Sequence, residues 1–351
     1  MDSELTPQQI DINQHYLPQC LLKKFRSRGK GKRCYTYVFK KSHLPFETNV
    51  RNIGSERLYY SLGDDHSADN HMKSKEIHYA NILTNIELNK NITEDIIYDL
   101  IKFSIHIAHR SKHLRETLQI TSNSAIGCMS EKITAQDSKI VKRIHGRIDD
   151  KTTELATIAN NLRKSPYNKE FLKQIIAKKQ NECKKKFEEI YPTVANAFSD
   201  ALREVESRIP GLAKTEHIRA LKEDTFIDNY FDEIKYLNWN ILNSTKCNFI
   251  LGDIGPITID IDNKFLPLLF TKMSTKAFFM PLGSHTMLCG SREAYPINAH
   301  DINIETANLC NNYFISSTKD EKTSTYHQHI GRDLKTIIGD TTEKIYQKLY
   351  D

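Results

Sequence analysis

An α+β protein is what the order of periodicities predicts. Apolar and polar side chains alternate in short runs over the first sixty residues, recur every three to four through the middle, and return to a period of two beyond the sole tryptophan, Trp239. The expected architecture has β-rich N- and C-terminal parts sharing one sheet, and a long, mostly helical middle that includes a helical hairpin. Its expected division is a discontinuous α+β body, residues 1–128 and 212–351, with a charged helical insertion at 129–211.

Each element follows from its local pattern. Residues 16–25 (YLPQCLLKKF) fit a short helix with Pro18 in the first turn, where its missing N–H is harmless, and Leu21, Leu22 and Phe25 as the apolar stripe. Residues 27–32 (SRGKGK) read as a basic turn. Residues 33–40 alternate as a strand with Tyr35, Tyr37 and Phe39 on one face; 46–50 and 57–61 are further short strands, and 63–71 is loop. A helix is expected at 75–89. A second, N-capped by Thr93 and apolar nearly all round from Ile96 to Ala108, runs to about residue 119. Stripes through Ile133, Ile140 and Ile144, then Phe171, Phe187, Phe198 and Leu202, predict long amphipathic helices that end at Pro210–Gly211, with a break at Ser165–Pro166 and a bend at Pro192. Helices this polar have only a narrow apolar face, which predicts an antiparallel pair and self-association through it. After a helix at 225–237, strands are expected at 238–242, 247–252, 257–261, 277–282 and 285–289, then helix over 301–316 and a weaker helical tail at 331–350.

Composition excludes several classes. No run approaches the ~18–20 apolar residues a membrane-spanning helix needs. The first seventeen residues lack the basic and apolar regions of a secretory leader. The seven cysteines are never closer than 14 residues, so no zinc knuckle is encoded, and the set reads as free thiols of a cytoplasmic protein. Dinucleotide, P-loop, hydrolase-elbow and zincin motifs are absent, which leaves no nucleotide cofactor to expect.

The net charge of +6 is unevenly placed. No acidic residue occurs from Ile12 to Phe46, a span holding Lys23, Lys24, Arg26, Arg28, Lys30, Lys32 and Arg33 beside the aromatic strand. That combination tracks a phosphate backbone and stacks bases; equally, it describes a solvated loop beside a core strand. His106, His109, Arg110 and His113 share one helical face, a pattern open to a metal, an anion or plain packing. Asp253 with Asp262-x-Lys264 mimics the carboxylates and lysine that hold Mg²⁺ in restriction-type nucleases, or forms the wet face of an edge strand.

The opening His15-Tyr16-Leu17-Pro18, with Leu22 and Phe25 in register, resembles the start of a bacterial family, the domain of unknown function 4238. The strand Arg33–Val38, the pair Tyr59-Tyr60, a helix bearing Glu76, a buried helix ending near Arg110, the Trp239 strand, an Asp253-Ile254-Gly255-Pro256 hairpin and Pro281-Leu282-Gly283 follow in the family's order. The hairpin turn is one residue longer than the family's D-N-P, and Gly283 stands where the family has serine. The resemblance implies no activity but marks His15, Glu76, Arg110 and Asp253 as recurrent positions, which a fold can bring together as a general acid/base site or leave as a cap, a buried ion pair and a turn. Two functions are therefore weighed. One is a nucleic-acid-acting, phosphodiester-cleaving effector of the toxin or phage-defence kind, a metal-dependent nuclease using Mg²⁺ or Mn²⁺ on Glu76, Asp253 and Asp262. The other is a non-catalytic module binding nucleic acid or protein through the basic loop and the helical hairpin.

Overall fold

The computed structural model describes residues 13–88, 92–134, 139–161, 169–223, 225–245, 247–271, 275–293, 298–340 and 343. The chain forms two compact units, one from residues 1–118 with 212–351 and the other from 119–211. The first is the α+β unit. Its N-terminal part runs β1 (Asn13–His15), α1 (Gln19–Leu22), β2 (Arg28–Lys30), β3 (Arg33–Lys40), β4 (Phe46–Asn49), β5 (Ser55–Arg57), α2 (Ser67–Glu87) and α3 (Glu94–Arg110). Helices α4 (Lys112–Thr134), α5 (Lys139–Asn161) and α6 (Lys169–Lys222) follow. The C-terminal part comprises α7 (Thr225–Ile234), β6 (Asn238–Asn243), β7 (Leu251–Gly252), β8 (Ile257–Asp260), β9 (Phe265–Pro267), β10 (Thr275–Gly283), β11 (Thr286–Ser291), α8 (Ala299–Leu309), β12 (Tyr313–Ser316) and α9 (Glu321–His327).

The two β-rich ends do share a sheet. Its order is β2-β3-β12-β7, with β4 also on β3, so the N-terminal strand β3 is paired directly with the C-terminal β12. A second, wholly antiparallel sheet, β6-β11-β10-β8-β9, is built from the C-terminal part alone, and β1 pairs β5. The aromatic strand is covered on both faces: Cys34, Thr36 and Val38 are buried on one, while on the other Phe39 is buried and Tyr35 and Tyr37 are half-buried. Phe39 stacks on Phe314 with ring centroids 4.7 Å apart. Burying each such ring contributes about 1.5–3 kcal/mol. In the other sheet the Trp239 ring lies over Gly290, where a Cβ would stand 2.8 Å from the indole.

Several boundaries differ from the sequence pattern, each for a local reason. The segment read as a turn at 27–32 supplies β2, and the helix expected at 75 starts at Ser67. The strand expected at 57–61 is over at Arg57, the last residue of β5, and the chain turns through Leu58 at φ 51°. The expected helix to 119 breaks at Ser111, whose hydroxyl accepts from Leu114 N at 3.3 Å and starts α4 anew. Thr93 caps α3 as expected, its Oγ1 accepting from Ile96 N. Pro210 does not end α6, and Pro192 does not split it. Both prolines and the residues four positions earlier, Glu188 and Glu206, are exposed, so water satisfies the freed carbonyls. Residues 301–316 divide into α8 and β12 at Asn311–Asn312. The tail is helical over 334–340; its remainder to 350 lies outside the described residues except 343, as does the Ser165–Pro166 break.

The second unit is helical. Asp149 on α5 meets Lys184 and Gln180 on α6, each at 2.5 Å, and His145 lies 3.7 Å from Glu188. On α4, Ser130 bonds Ser199 and Ile133 O accepts from Tyr191 Oη, both at 2.5 Å. Rising numbers on α4 and α5 meet falling numbers on α6, which makes the pairing antiparallel. Among the described residues no helix is long and apolar enough to cross a membrane.

Candidate functional site

Strand β1 delivers a polar pair into the interior of the α+β unit. Gln14, only 2% exposed, accepts from Tyr60 N at 2.6 Å and donates to Ser61 Oγ at 2.9 Å, which fastens the 58–62 turn to β1. Ser61 Oγ in turn meets His66 Nδ1 at 2.8 Å. Tyr60 Oη donates to the carbonyl of His15 at 3.1 Å and accepts from Arg110 Nε at 2.8 Å. Arg110, the last residue of α3, is 1% exposed. Its Nη2 donates at 2.5 Å both to His15 O and to Glu76 Oε1 on α2. Burial opposes the guanidinium charge, but Tyr60 and Glu76 outweigh it and raise the pKa. Four segments therefore converge on one cation.

More polar groups gather here than the sequence pattern named. His71 and Lys75 on α2 lie close enough to act electrostatically on His106, which faces them from α3. Burial first, then the charges of Arg110, Lys75, His71 and His109, hold the His106 pKa well below the ordinary imidazole value, so that ring is neutral. Among the described residues, Arg110 Nη1 and both His106 ring nitrogens meet no hydrogen-bond partner. Cys20 also borders the cluster; burial, reinforced by Glu76 and offset by Arg110, raises its thiol to about 11, so it is no ready nucleophile. The Glu76 carboxylate, with its side chain 25% exposed, carries the cluster towards solvent.

The rest of the histidine stripe is packing. His109 stacks on Phe226 with ring centroids 3.4 Å apart, and His113 lies 5.8 Å from the Phe270 ring. Burial lowers these imidazoles to about 3 and about 4.

Asp253 stands in a different network from Glu76 and Arg110. Its Oδ1 accepts from Asn311 N at 2.8 Å, and its Oδ2 from Asn312 N at 2.7 Å and Tyr313 N at 3.2 Å. The carboxylate thereby ties the β7–β8 turn to the loop before β12. Gly255, at φ +79°, lets that turn close; a Cβ there would meet Ile107 Cγ2 at 2.7 Å. Burial pushes the Asp253 pKa up to about 7, against the three N–H groups that pull it down. Asp262 is exposed in the β8–β9 turn, where Asp260 Oδ1 accepts from Asp262 N and Lys264 N, each at 2.9 Å.

These donors do not fit Mg²⁺ or Mn²⁺. Both Asp253 oxygens face N–H donors, Glu76 faces a guanidinium, and Asp262 belongs to a turn. Among the described residues no three His, Cys, Asp or Glu side chains are placed to hold a metal ion. Asp253→Asn should cost about 1–3 kcal/mol, because an amide nitrogen would be turned towards at least one backbone N–H. Urea unfolding at neutral pH measures it.

The basic segment is partly neutralised. Lys24 and Arg26 pair with Glu87 at 2.6 and 3.5 Å, and Arg28 grips Glu47 through Nε and Nη2 while lying 4.6 Å from the centre of the Tyr35 ring. Lys23, Lys30, Lys32 and Arg33 make no ion pair among the described residues; the last three sit at the tip of the β2–β3 hairpin.

The architecture defines a class: an α+β protein whose N- and C-terminal strands share a sheet, with a buried arginine clamp. The chain belongs to the family described as protein of unknown function (DUF4238), whose model matches residues 13–329. No curated protein and no solved structure matches it.

Proposed function

We propose that the chain acts on nucleic acid, with the β2–β3 hairpin holding backbone phosphates and the Arg110 cluster cleaving a phosphodiester bond. The observation that carries this reading is the pairing of Arg110 with the partly exposed Glu76 carboxylate, beside His106 and the charges of His71 and Lys75 that act on it. Cationic and imidazole groups at one place suit a phosphate whose charge grows in the transition state. In this reading Glu76 takes the proton of the attacking hydroxyl, Lys75 holds the non-bridging oxygens, Arg110 fixes Glu76 in place and water protonates the oxygen that leaves phosphorus. No step uses a metal. Nucleic acid is then the partner of the α+β unit, and a second copy of the chain the partner of the helical unit.

Labelled RNA and DNA incubated with the protein, with Mg²⁺, with Mn²⁺ and with chelator, test the reaction. Cleavage that survives chelation and falls at least about tenfold in Lys75→Ala and Glu76→Gln is the expected result. For a toxin or phage-defence effector, expression should arrest cell growth and the same variants should relieve the arrest.

A binding-only reading has its own support in the saturation of Arg110 Nε and Nη2 and of Asp253 by structural partners. It expects retained binding with intact substrate. Under either reading, Lys30→Glu, Lys32→Glu and Arg33→Glu together should weaken binding and lower the slope of log affinity against log salt by roughly 2–3, about 0.9 for each phosphate no longer neutralised. An unchanged slope would show that the hairpin only solubilises the chain.

A further inference from the structure

The helical unit leaves an apolar face uncovered. Two hollows lie along the α5–α6 side of the pair, of about 470 and 360 Å³, and they adjoin at Ile144, which lines both. The second is walled by Ile133, Ile140, Phe187, Ile190, Val194 and Phe198. Ile190, Val194 and Phe198 are 58%, 57% and 51% exposed, and Phe171, Ile175 and Leu155 are exposed at the other end. Their spacing of three to four residues is the pattern of a buried seam, and single scattered apolar residues would not form a continuous groove.

We propose that a second copy of this chain covers this groove, packing antiparallel about a two-fold axis near Phe187 to form a bundle. Two arguments select that occupant. The first is symmetry: a groove that is apolar along its length is complementary to itself across a two-fold axis, as an isologous dimer requires. The second is area. From Ile175 to Phe198 the groove runs about 35 Å along α6 and is about two helix diameters, or ~20 Å, wide. A second copy therefore covers about 700 Å² per chain, close to the ~800 Å² per partner of a stable interface.

Light scattering on the full chain at about 100 micromolar should give the mass of two chains. Ile190→Glu combined with Phe198→Glu should give one chain, with association weakened on the order of a hundredfold or more and helical circular dichroism unchanged. Orientation is tested in a Cys183→Ser background, where Phe171→Cys chains should cross-link to Val205→Cys chains in preference to themselves. A one-chain wild-type mass, a two-chain mass that survives both glutamates, or a monomer that instead floats with lipid vesicles overturns the proposal. Preferential Phe171→Cys self-linking overturns the antiparallel arrangement.

Discussion

Lowering the pH from 7 to 5 should destabilise the α+β unit by about 6 kcal/mol. His106, His113 and His217 are 0%, 3% and 3% exposed and His109 is half-buried, and burial is the first cause of the depressed pKa of each. The hydrogen bonds of His217 fix its neutral form. Arg115 Nε lies 3.2 Å from Nδ1 and can only donate, so Nδ1 accepts and Nε2 carries the proton donated to His109 O at 2.6 Å. A second ring proton would face the guanidinium. Unfolded imidazoles bind protons below about 6.5, while His113 and His217 stay neutral in the fold down to about 4. Stability is thus present above pH 6.5 and lost as pH falls towards 4, by about 2 kcal/mol per ring between pH 7 and 5. Asp253 acts oppositely. Its folded pKa of about 7 exceeds the unfolded value, so its contribution is full below pH 4 and is lost as pH rises through 7. It returns about 2 kcal/mol over the same interval. Urea midpoints between pH 7.5 and 5 measure the balance. Stability that is flat or rises in acid would contradict neutral buried rings, and His217→Gln should reduce the slope by about one proton.

The elements legible in the sequence are those whose signal is local. Thr93 announces α3 because its cap reaches only to Ile96, and the helical stripes repeat within a few residues. Strand β12 is not legible because its partner is remote: Ile315 pairs with Val38, and Thr36 Oγ1 donates to Ser316 O across a separation of 280 residues. Within a window of a few residues, 301–316 looks like continued helix; α8 ends at Leu309, and Asp253, remote in sequence, collects the N–H groups of Asn311, Asn312 and Tyr313 beyond it. The arginine clamp is legible in part. Glu76 and Arg110 are marked by their places in the family's order of motifs, but His15 contributes its backbone carbonyl to the clamp, which no side-chain pattern encodes. Tyr60 and Gln14 escape a sequence reading for a related reason: a tyrosine in an aromatic pair reads as core, and only the fold shows that its hydroxyl is the hinge between Arg110 and His15.

Replacing Arg110 with methionine should cost about 3–5 kcal/mol, the usual consequence of removing one member of a buried pair. The guanidinium makes four polar attachments: Tyr60 Oη, His15 O, Glu76 Oε1 and the Tyr60 ring, whose centre is 5.5 Å from Arg110 Cζ. Methionine fills much of the same space but donates nothing. Glu76, with its side chain 25% exposed, can then turn to water, whereas the interior group Tyr60 Oη loses its donor outright. Arg110→Lys keeps the charge but replaces a planar fork with one ammonium, which cannot reproduce the separate Nε and Nη2 directions; about 2 kcal/mol is expected. Glu76→Gln keeps an acceptor and removes only the charge, and should cost about 1 kcal/mol. Denaturant unfolding should therefore rank the variants methionine, lysine, glutamine in decreasing damage. A mildly affected Arg110→Met would mean that the apolar replacement offsets the lost pair, as it does in some buried networks. Pairing Arg110→Met with Glu76→Leu separates the two accounts: if stranded acceptors cause the loss, the double variant should recover only the part owed to Glu76, because Tyr60 Oη still lacks its donor.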